Sequence, residues 1–180
     1  MPPPDFKQNY FELFDLPAEF AVDGSVLGAR YRQLQQELHP DRYAHSSGQE
    51  QRIAVQYSAL INEAYATLRK PLPRALYLLQ LSDVTQQQIT AEHVDGGFLI
   101  EQMELREKLE SIHDLVDPDA VLDHLVAEIG ADIKSHQAEF AAAYSGQNLD
   151  AAASACVKMQ YLEKLLQEAE QLESDLMDKK

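Results

Sequence analysis

The sequence predicts an all-α fold, with a helical hairpin in the N-terminal part and a three-helix bundle in the C-terminal part. Only 7 of the 180 residues are glycine, and alanine, leucine, glutamate and glutamine, which favour helices over sheets, are abundant. Apolar residues recur at helical spacing along most of the chain. The sequence contains no visible pair of strand-like segments.

Capping residues and a proline indicate where the first two helices begin and end. Asn9 is placed to cap a short helix over residues 10–14, which ends before Pro17. Asp23 and the two residues after it open a second helix that reaches Leu38. One face of this helix is apolar and carries Leu27, Tyr31, Leu34 and Leu38.

Two further helices complete the N-terminal part. Ser47 and Glu50 have the spacing of a capping box, which predicts that a third helix begins near Gln49. Because the second and third helices are amphipathic and only about ten residues apart, we expect them to form an antiparallel hairpin. Pro71 is well suited to begin a short fourth helix over residues 72–81.

The remainder of the chain predicts a linker and a bundle. Residues 82–95 lack a sustained apolar stripe, so we interpret them as a linker with at most one short helical turn. Three longer helices are expected over about 97–115, 119–145 and 149–177. Short connections separate these helices, so neighbours are expected to run antiparallel. The predicted organisation is a domain over residues 1–81, a linker over 82–95 and a bundle over 96–180.

The net charge of −15 is distributed unevenly. Residues 1–80 contain eight Lys/Arg and nine Asp/Glu, a net charge of −1, whereas residues 81–180 contain seven and twenty-one, a net charge of −14. Because so acidic a domain repels phosphate backbones, we expect no nucleic-acid partner for the second half. We also expect no membrane partner, since no apolar run approaches the length that crosses a bilayer.

The chain has a single cysteine, Cys156, which precludes an internal disulfide and is typical of a reducing compartment, here expected to be the cytoplasm. One thiolate also falls short of the four that normally hold an iron–sulfur cluster. The histidines show no metal-ligand spacing with one another or with Cys156. We therefore expect no metal and no cofactor, and we interpret Cys156 as a small, inert residue of the last helix.

The tripeptide His39-Pro40-Asp41 lies between the second and third predicted helices. Pro40 lacks a backbone donor and disfavours the α conformation in the residue before it, so the chain must turn there. The three residues could simply end a helix, but the amphipathic helices on both sides favour a functional role. The arrangement resembles a J-domain, the module that docks on ATP-driven chaperones of the HscA/DnaK class and triggers their ATP hydrolysis.

Five segments resemble the HscB family, the J-type co-chaperones of iron–sulfur cluster biogenesis. They are NYFELFDLP at residues 9–17, HPDR at 39–42, INEAYATL at 61–68, RAxYLL at 74–79 and FLIEQMELRE at 98–107. The first four segments alone would indicate only a J-domain. The last segment narrows the resemblance to HscB, and the similarity covers nearly the whole chain.

The resemblance implies a surface that engages an ATP-dependent chaperone of the HscA/DnaK class. Its central residues would be His39, Pro40 and Asp41, and the aspartate is expected to pair with an arginine of the chaperone's ATPase module. ATP and magnesium would bind to the chaperone, so this chain would shift its partner's conformational equilibrium and would not be an enzyme.

J-domains usually add a basic face beside this motif. The candidates in this chain are Arg30, Arg32 and Arg42. Residues 35–37, Gln-Gln-Glu, stand where many J-domains carry lysine or arginine, so attraction of the partner by charge is expected to be weaker here. For Arg30 and Arg32, a solvated helix face without a binding role is an equally open interpretation.

Helical geometry places apolar residues on two sides of the helix that begins near Gly97. At about 100° per residue, one side carries the natural core face: Phe98, Leu105, Leu109, Ile112 and Val116. The other side carries Leu99, Ile100 and Met103, with Glu104 and Glu107 alongside. Because a helix buried on one face should be polar on the other, these residues suggest an exposed adhesive patch. The alternative is that the three apolar residues pack under the linker or against the N-terminal domain.

The resemblance to HscB also implies a client, because the matching positions in that family bind the cluster scaffold IscU. The implied client-binding residues are Leu99, Ile100, Met103, Glu104, Glu107 and Tyr161. Ile100 stands where methionine is common and Tyr161 where phenylalanine is common, so both positions keep their apolar bulk. Tyr161 lies at the edge of its helix's apolar stripe, and the sequence does not show whether it lies near Leu99.

The predicted function is that of a co-chaperone that brings an IscU-type scaffold to an HscA/DnaK-class chaperone and stimulates its ATPase activity. The alternative is a J-domain co-chaperone with a different client. An enzyme is disfavoured, because no nucleophile–base arrangement stands out in the sequence. A purely structural helical protein would leave His39-Pro40-Asp41 without a role.

Overall fold

The computed structural model describes residues 7–38, 47–85, 87–90, 94–112 and 117–177. Over these ranges the chain forms seven α-helices and no strand, which confirms the predicted fold class. The helices are α1 (Tyr10–Leu13), α2 (Gly24–Glu37), α3 (Gly48–Arg69), α4 (Pro71–Leu81), α5 (Gly96–Glu110), α6 (Pro118–Ser145) and α7 (Leu149–Met177). None of the described helices is both long and apolar enough to cross a membrane.

The chain divides into two compact units, Met1–Leu78 and Leu79–Lys180. Within the second unit, the turn at residues 87–88 is followed by Ile89, which is buried. The finer division into a domain, a linker over 82–95 and a bundle over 96–180 remains a prediction.

The helix starts of the first unit follow the caps that the sequence predicts. The side chain of Asn9 accepts hydrogen bonds from the backbone of Phe11 and Glu12, and Glu12 reaches back to the backbone of Asn9. Ser47 and Glu50 form the second capping box, so α3 begins at Gly48. These contacts satisfy backbone donors that the first turn of a helix leaves free.

Polar and aromatic contacts join α2 to α3. The rings of Tyr31 and Tyr65 stack with their centroids 4.0 Å apart. The Tyr31 hydroxyl and the Gln35 amide both donate hydrogen bonds to Oδ1 of Asn62, across 3.0 and 2.6 Å. Tyr31 meets Tyr65, whereas Gln35, about one turn further along α2, meets Asn62, about one turn earlier in α3, so the two helices form the expected antiparallel hairpin. The core beneath them contains Phe11, Phe14, Leu27, Ile61, Leu68 and Leu78.

The second unit is built on the paired helices α6 and α7, of 28 and 29 residues. Gly146 ends α6, Gln147 takes a left-handed conformation with φ of 58°, and Asn148 accepts a hydrogen bond from the backbone of Ala151. Helix α5 packs on this pair. The shared core contains Phe98, Leu105, Leu109, Ile112, Leu122, Leu125, Ile129, Ile133, Leu162, Leu165 and Ala169.

The end of α5 differs from the sequence prediction, which placed it near residue 115. The helix ends at Glu110, and the backbone N–H of the cap residue Ser111 donates to the carbonyl oxygen of Glu107. Ile112 lies beyond the helix and is fully buried. Val116, which was predicted for the core face, lies outside the described residues. At this end the Ser111 N–H also donates to the carbonyl oxygen of Leu109, so the last turn tightens and the regular α-helical pattern stops, while Ile112 keeps the core position that the sequence predicted.

Candidate functional site

The predicted chaperone-binding surface is only partly described. Residues His39, Pro40, Asp41 and Arg42 lie outside the described residues. The elements on either side of them are well defined: Leu38 is the C-cap of α2, and Ser47 is the N-cap of α3. In the sequence, the tripeptide therefore belongs to the connection between the two helices of the hairpin.

Arg30 and Arg32, the two described arginines of this surface, have different surroundings. Nη2 of Arg30 lies 3.6 Å from Oδ2 of Asp15, and both side chains are substantially exposed. Arg32 is exposed on α2 and forms no ion pair with any described residue. Arg32 is thus the more available cation for a partner.

The glutamines of α2 take part in contacts within the hairpin. The Gln35 amide donates to Asn62 of α3, and the Gln33 amide donates to Oε1 of Glu37 across 3.1 Å. Gln35 and Glu37, which stand where many J-domains carry basic residues, therefore form hydrogen bonds within the hairpin. Gln35 stabilises the pairing of α2 with α3, and no positive charge is added at this end of the helix.

The outer face of α5 carries an exposed apolar pair. Ile100 and Met103 are 59% and 65% exposed, which is unusual for side chains of this size. Glu104 and Glu107 are exposed beside them. We call these four residues the α5 patch. Its exposure agrees with the helical geometry of the sequence, while its assignment to a client remains a prediction.

Leu99 does not belong to this exposed surface in the way that the sequence suggested. Its side chain is half-buried and packs against the core cluster of the second unit, as does that of Val94. Leu99 follows Phe98 in the first turn of α5 and sits at the border between the core face and the outer face. Leu99 thus packs within the second unit, whereas the predicted alternative was packing under the linker or against the N-terminal domain.

Tyr161 of α7 lies beside the first turn of α5. The residue is 40% exposed, and its ring meets the ring of Phe98 edge to face, with centroids 6.2 Å apart. Phe98 immediately precedes Leu99. The structure thus brings Tyr161 next to Phe98, on the core side of α5, a proximity that the sequence did not reveal.

Two ion pairs hold α5 against α7, and sequence reasoning missed both. Near the start of the helix, Nζ of Lys158 lies 3.8 Å from Oδ2 of Asp95 and 5.6 Å from the centroid of the Phe98 ring. Further along, Nη2 of Arg106 lies 3.2 Å from Oε1 of Glu168. The partners are more than sixty positions apart, so no local pattern signals the pairing.

The face of α5 towards α6 borders an acidic groove of about 320 Å³. Its carboxylates are Glu101, Glu104, Glu128 and Asp132. His136 also lines the groove, with Nδ1 2.8 Å from a carboxylate oxygen of Glu139. Among the described residues, no group of three or more His, Cys, Asp or Glu side chains is placed to hold a metal ion.

Cys156 is buried in α7. Burial raises the pKa of its thiol to about 12, because the charged thiolate would lose its hydration. A thiol with so high a pKa is a poor nucleophile at neutral pH. This environment agrees with the interpretation of Cys156 as an inert residue.

Comparison with known proteins extends over nearly the whole chain. Residues 94–170 match the family model described as the HSCB C-terminal oligomerisation domain. The HscB co-chaperone homologue of Shewanella loihica is 39% identical over 171 residues, covering 93% of this chain and 99% of the relative.

Solved structures agree with this match. Chaperone HscB from Vibrio cholerae superposes with a TM-score of 0.86 at 41% identity, covering 94% of this chain and 99% of that one. The crystal structure of human co-chaperone HscB has a TM-score of 0.85 at 32% identity, covering 93% of this chain and 83% of that one. The chain therefore belongs to the HscB family of co-chaperones, which act in iron–sulfur cluster assembly.

Proposed function

We propose that this protein recruits an IscU-type iron–sulfur scaffold to an ATP-dependent chaperone of the HscA/DnaK class and stimulates the ATPase activity of that chaperone. In this proposal the protein is not an enzyme, and ATP binds to the chaperone alone. We place the activity in the cytoplasm, for which a single, buried cysteine is suitable. The observation that carries the proposal is the exposed apolar pair of α5 in a chain that also contains His39-Pro40-Asp41.

The α5 patch has the composition of a small protein-binding surface. Ile100 and Met103 supply apolar area, and burying such area contributes about 25 cal/mol per Å². Glu104 and Glu107 stand beside them and favour a partner with basic groups around an apolar spot. We include Tyr161 and Leu99 in the proposed client surface, because Tyr161 is exposed beside Phe98 and Leu99 follows Phe98 in the first turn of α5.

The chaperone-binding surface combines a directional charge with a modest basic face. Asp41 is the residue that we expect to pair with an arginine of the chaperone, and His39 and Pro40 are expected to engage the chaperone beside it. Arg32 and Arg42 add attraction, and Arg30 contributes less because Asp15 already lies beside it. The physical gain is tethering, since a client held beside the chaperone is captured at high effective concentration.

The first test measures ATP hydrolysis by an HscA-type chaperone with this protein added. We expect Asp41→Asn to abolish most of the stimulation, because the substitution removes the charge and keeps the shape. Asp123→Asn, at an exposed position of α6, is the matched control and should stimulate normally. Full stimulation by Asp41→Asn would remove the chaperone half of the proposal.

The second test titrates an IscU-type scaffold against Ile100→Ala/Met103→Ala. We expect the affinity to fall about tenfold or more, as for side chains at the centre of an interface. Ile100 and Met103 are better probes than Leu99, because Leu99 also packs in the core. Val121→Ala, at an exposed apolar position of α6, is the control.

The combination of results separates the alternatives. Normal stimulation of the chaperone with no detectable binding of an IscU-type scaffold would favour a J-domain co-chaperone with a different client. Scaffold binding that survives loss of Ile100 and Met103 would mean that the client site lies elsewhere on the protein.

A further inference from the structure

The first turn of α5 is tied to α7 through one half-buried lysine. The Lys158 side chain is only 19% exposed. Its ammonium group lies 3.8 Å from Oδ2 of Asp95 and 5.6 Å from the centroid of the Phe98 ring. Lys158 therefore contacts both the cap of α5 and the first core residue of that helix.

Asp95 uses its two carboxylate oxygens for different purposes. Oδ1 accepts a hydrogen bond from the backbone N–H of Phe98 across 2.9 Å and so caps α5. Oδ2 faces Lys158. The hydrogen bond from Phe98 lowers the pKa of Asp95, and Lys158 adds to that effect. The ammonium group thus stabilises the ionised cap that begins the helix.

The residues of the α5 patch begin only a few positions after this cap. The first turn of a helix has unpaired backbone donors and frays easily unless its cap is held. Ile100 and Met103 point outward, so their own packing does little to order the helix. The order of this surface must come from the contacts on the inner side, where Lys158 and Phe98 lie.

We propose that Lys158 is a positioning residue for client binding, which holds the first turns of α5 on α7 so that the α5 patch is ordered before the client arrives. The inference rests on the proposed function, because it concerns the same client surface. Lys158 acts through Asp95 and Phe98. An ordered surface binds more tightly than a fraying one, since less conformational entropy is lost on association.

Three substitutions separate the charge of Lys158 from its bulk. Lys158→Met removes the charge and keeps a long apolar stem, whereas Lys158→Arg keeps the charge. Asp95→Asn keeps an oxygen that can cap the helix and removes the ion pair. Lys164→Met, at an exposed position of α7, is the matched control.

The experiment combines amide hydrogen exchange over residues 98–103 with titration of an IscU-type scaffold. We expect Lys158→Met to speed exchange and to weaken scaffold binding, each by about fivefold, as for an ion pair with an added cation–π contact. Lys158→Arg should restore most of the protection from exchange and most of the affinity for the scaffold. The melting temperature of these variants should change little. Lys158→Met and Asp95→Asn combined should be no worse than the stronger single variant.

Each other outcome overturns the inference in a recognisable way. Unchanged exchange with weaker binding would mean that Lys158 touches the client directly. Faster exchange with unchanged binding would mean that order in α5 does not matter for the client. Failure of Lys158→Arg to restore binding would exclude the charge as the cause.

The patch variant Ile100→Ala/Met103→Ala distinguishes this inference from the proposed function. If the patch variant weakens binding and Lys158→Met does not, the α5 patch stands and the positioning role is wrong. If the patch variant binds normally, the client surface itself has been misassigned.

Discussion

The hydroxyl group of Tyr10 donates a hydrogen bond to Oε1 of Glu63 across 2.9 Å, which joins α1 to α3. The Tyr10 ring also stacks on Tyr77 with the centroids 4.2 Å apart. Burial, followed by the hydrogen bond and charge of Glu63, raises the pKa of Tyr10 to about 12. The short helix α1 is therefore held in place by a contact that depends on a protonated tyrosine.

This contact predicts a specific alkaline sensitivity. Because the pKa of Tyr10 is raised from 10.0 to about 12 by folding, its contribution to the free energy of unfolding is complete below pH 10 and is lost as pH rises towards 12. Tyr10→Phe should lower stability at neutral pH by about 0.5–1 kcal/mol. It should also lose less stability than the wild type across this pH range, as measured by urea denaturation.

Two other tyrosines affect how that measurement is interpreted. The pKa of Tyr77 is also raised by burial, so some alkaline loss should persist in Tyr10→Phe. Tyr161→Phe removes an exposed hydroxyl from α7 and should behave as the wild type. An identical alkaline profile for Tyr10→Phe and the wild type would show that the contact with Glu63 does not contribute.

A second prediction concerns Arg74, a buried guanidinium in α4. Its Nη1 donates to the carbonyl oxygen of Leu68 across 2.7 Å, and the group lies 5.0 Å from the centroid of the Phe20 ring. Burial lowers its pKa, and its Nε has no hydrogen-bond partner among the described residues. Lysine lacks the planar group that makes both contacts, so Arg74→Lys should cost about 1–3 kcal/mol in urea denaturation.

The control for Arg74 is Arg52→Lys, at an exposed position of α3. That substitution should change stability by less than about 0.5 kcal/mol, as is usual for surface sites. Equal effects of the two substitutions would show that the planar contacts of Arg74 do not matter.

A third prediction uses the thiol of Cys156. With its pKa raised to about 12 by burial, the group should react at pH 8 at least about a hundredfold more slowly with a disulfide reagent in the native protein than in urea. The rate is followed by the absorbance of the released thiolate. Rapid reaction of the native protein would mean that α7 opens readily around this residue.

A fourth prediction concerns the ion pair between Asp15 and Arg30. Asp15 has a φ of 51°, a conformation that asparagine tolerates, so Asp15→Asn removes the charge with little strain. If Arg30 serves the chaperone surface, its release from Asp15 should lower the concentration of this protein that gives half-maximal ATPase stimulation. The decrease should be about twofold at low salt and smaller at high salt.

Arg30→Gln should abolish the effect of Asp15→Asn, because the arginine is then absent in both proteins. Arg32→Gln should weaken stimulation more than Arg30→Gln does. The opposite order would show that the ion pair with Asp15 leaves Arg30 fully available to the chaperone.

The features that sequence reasoning predicted well are local ones. The caps at Asn9, Asp23 and Ser47 lie where their side chains meet backbone donors two or three residues later. Pro71 begins α4, as its fixed φ and missing backbone donor indicate, and α6 ends at the predicted Gly146, although the left-handed residue there is Gln147 and not the glycine. Such contacts depend on neighbours in the sequence, so their pattern is visible before any tertiary structure is known.

The features that sequence reasoning missed depend on distant partners. Helix α5 ends at Glu110 although no glycine or proline follows at once, and the backbone N–H of its cap residue Ser111 is shared between the carbonyl oxygens of Glu107 and Leu109. Leu99 is half-buried because the core reaches round the helix further than a helical wheel shows. The pairing of Asp95 with Lys158 requires α5 and α7 to meet, which no spacing within either helix encodes.

The two sides of helix α5 differ in burial. Phe98, Leu105 and Leu109 are buried, whereas Ile100 and Met103 project into solvent. Substitutions on the outer side therefore leave the buried layer unchanged and should cost little stability. Under the proposed client role, a library varied at positions 100, 103, 104 and 107 would keep the same frame while the client changes, which makes this helix a natural starting point for retargeting the protein.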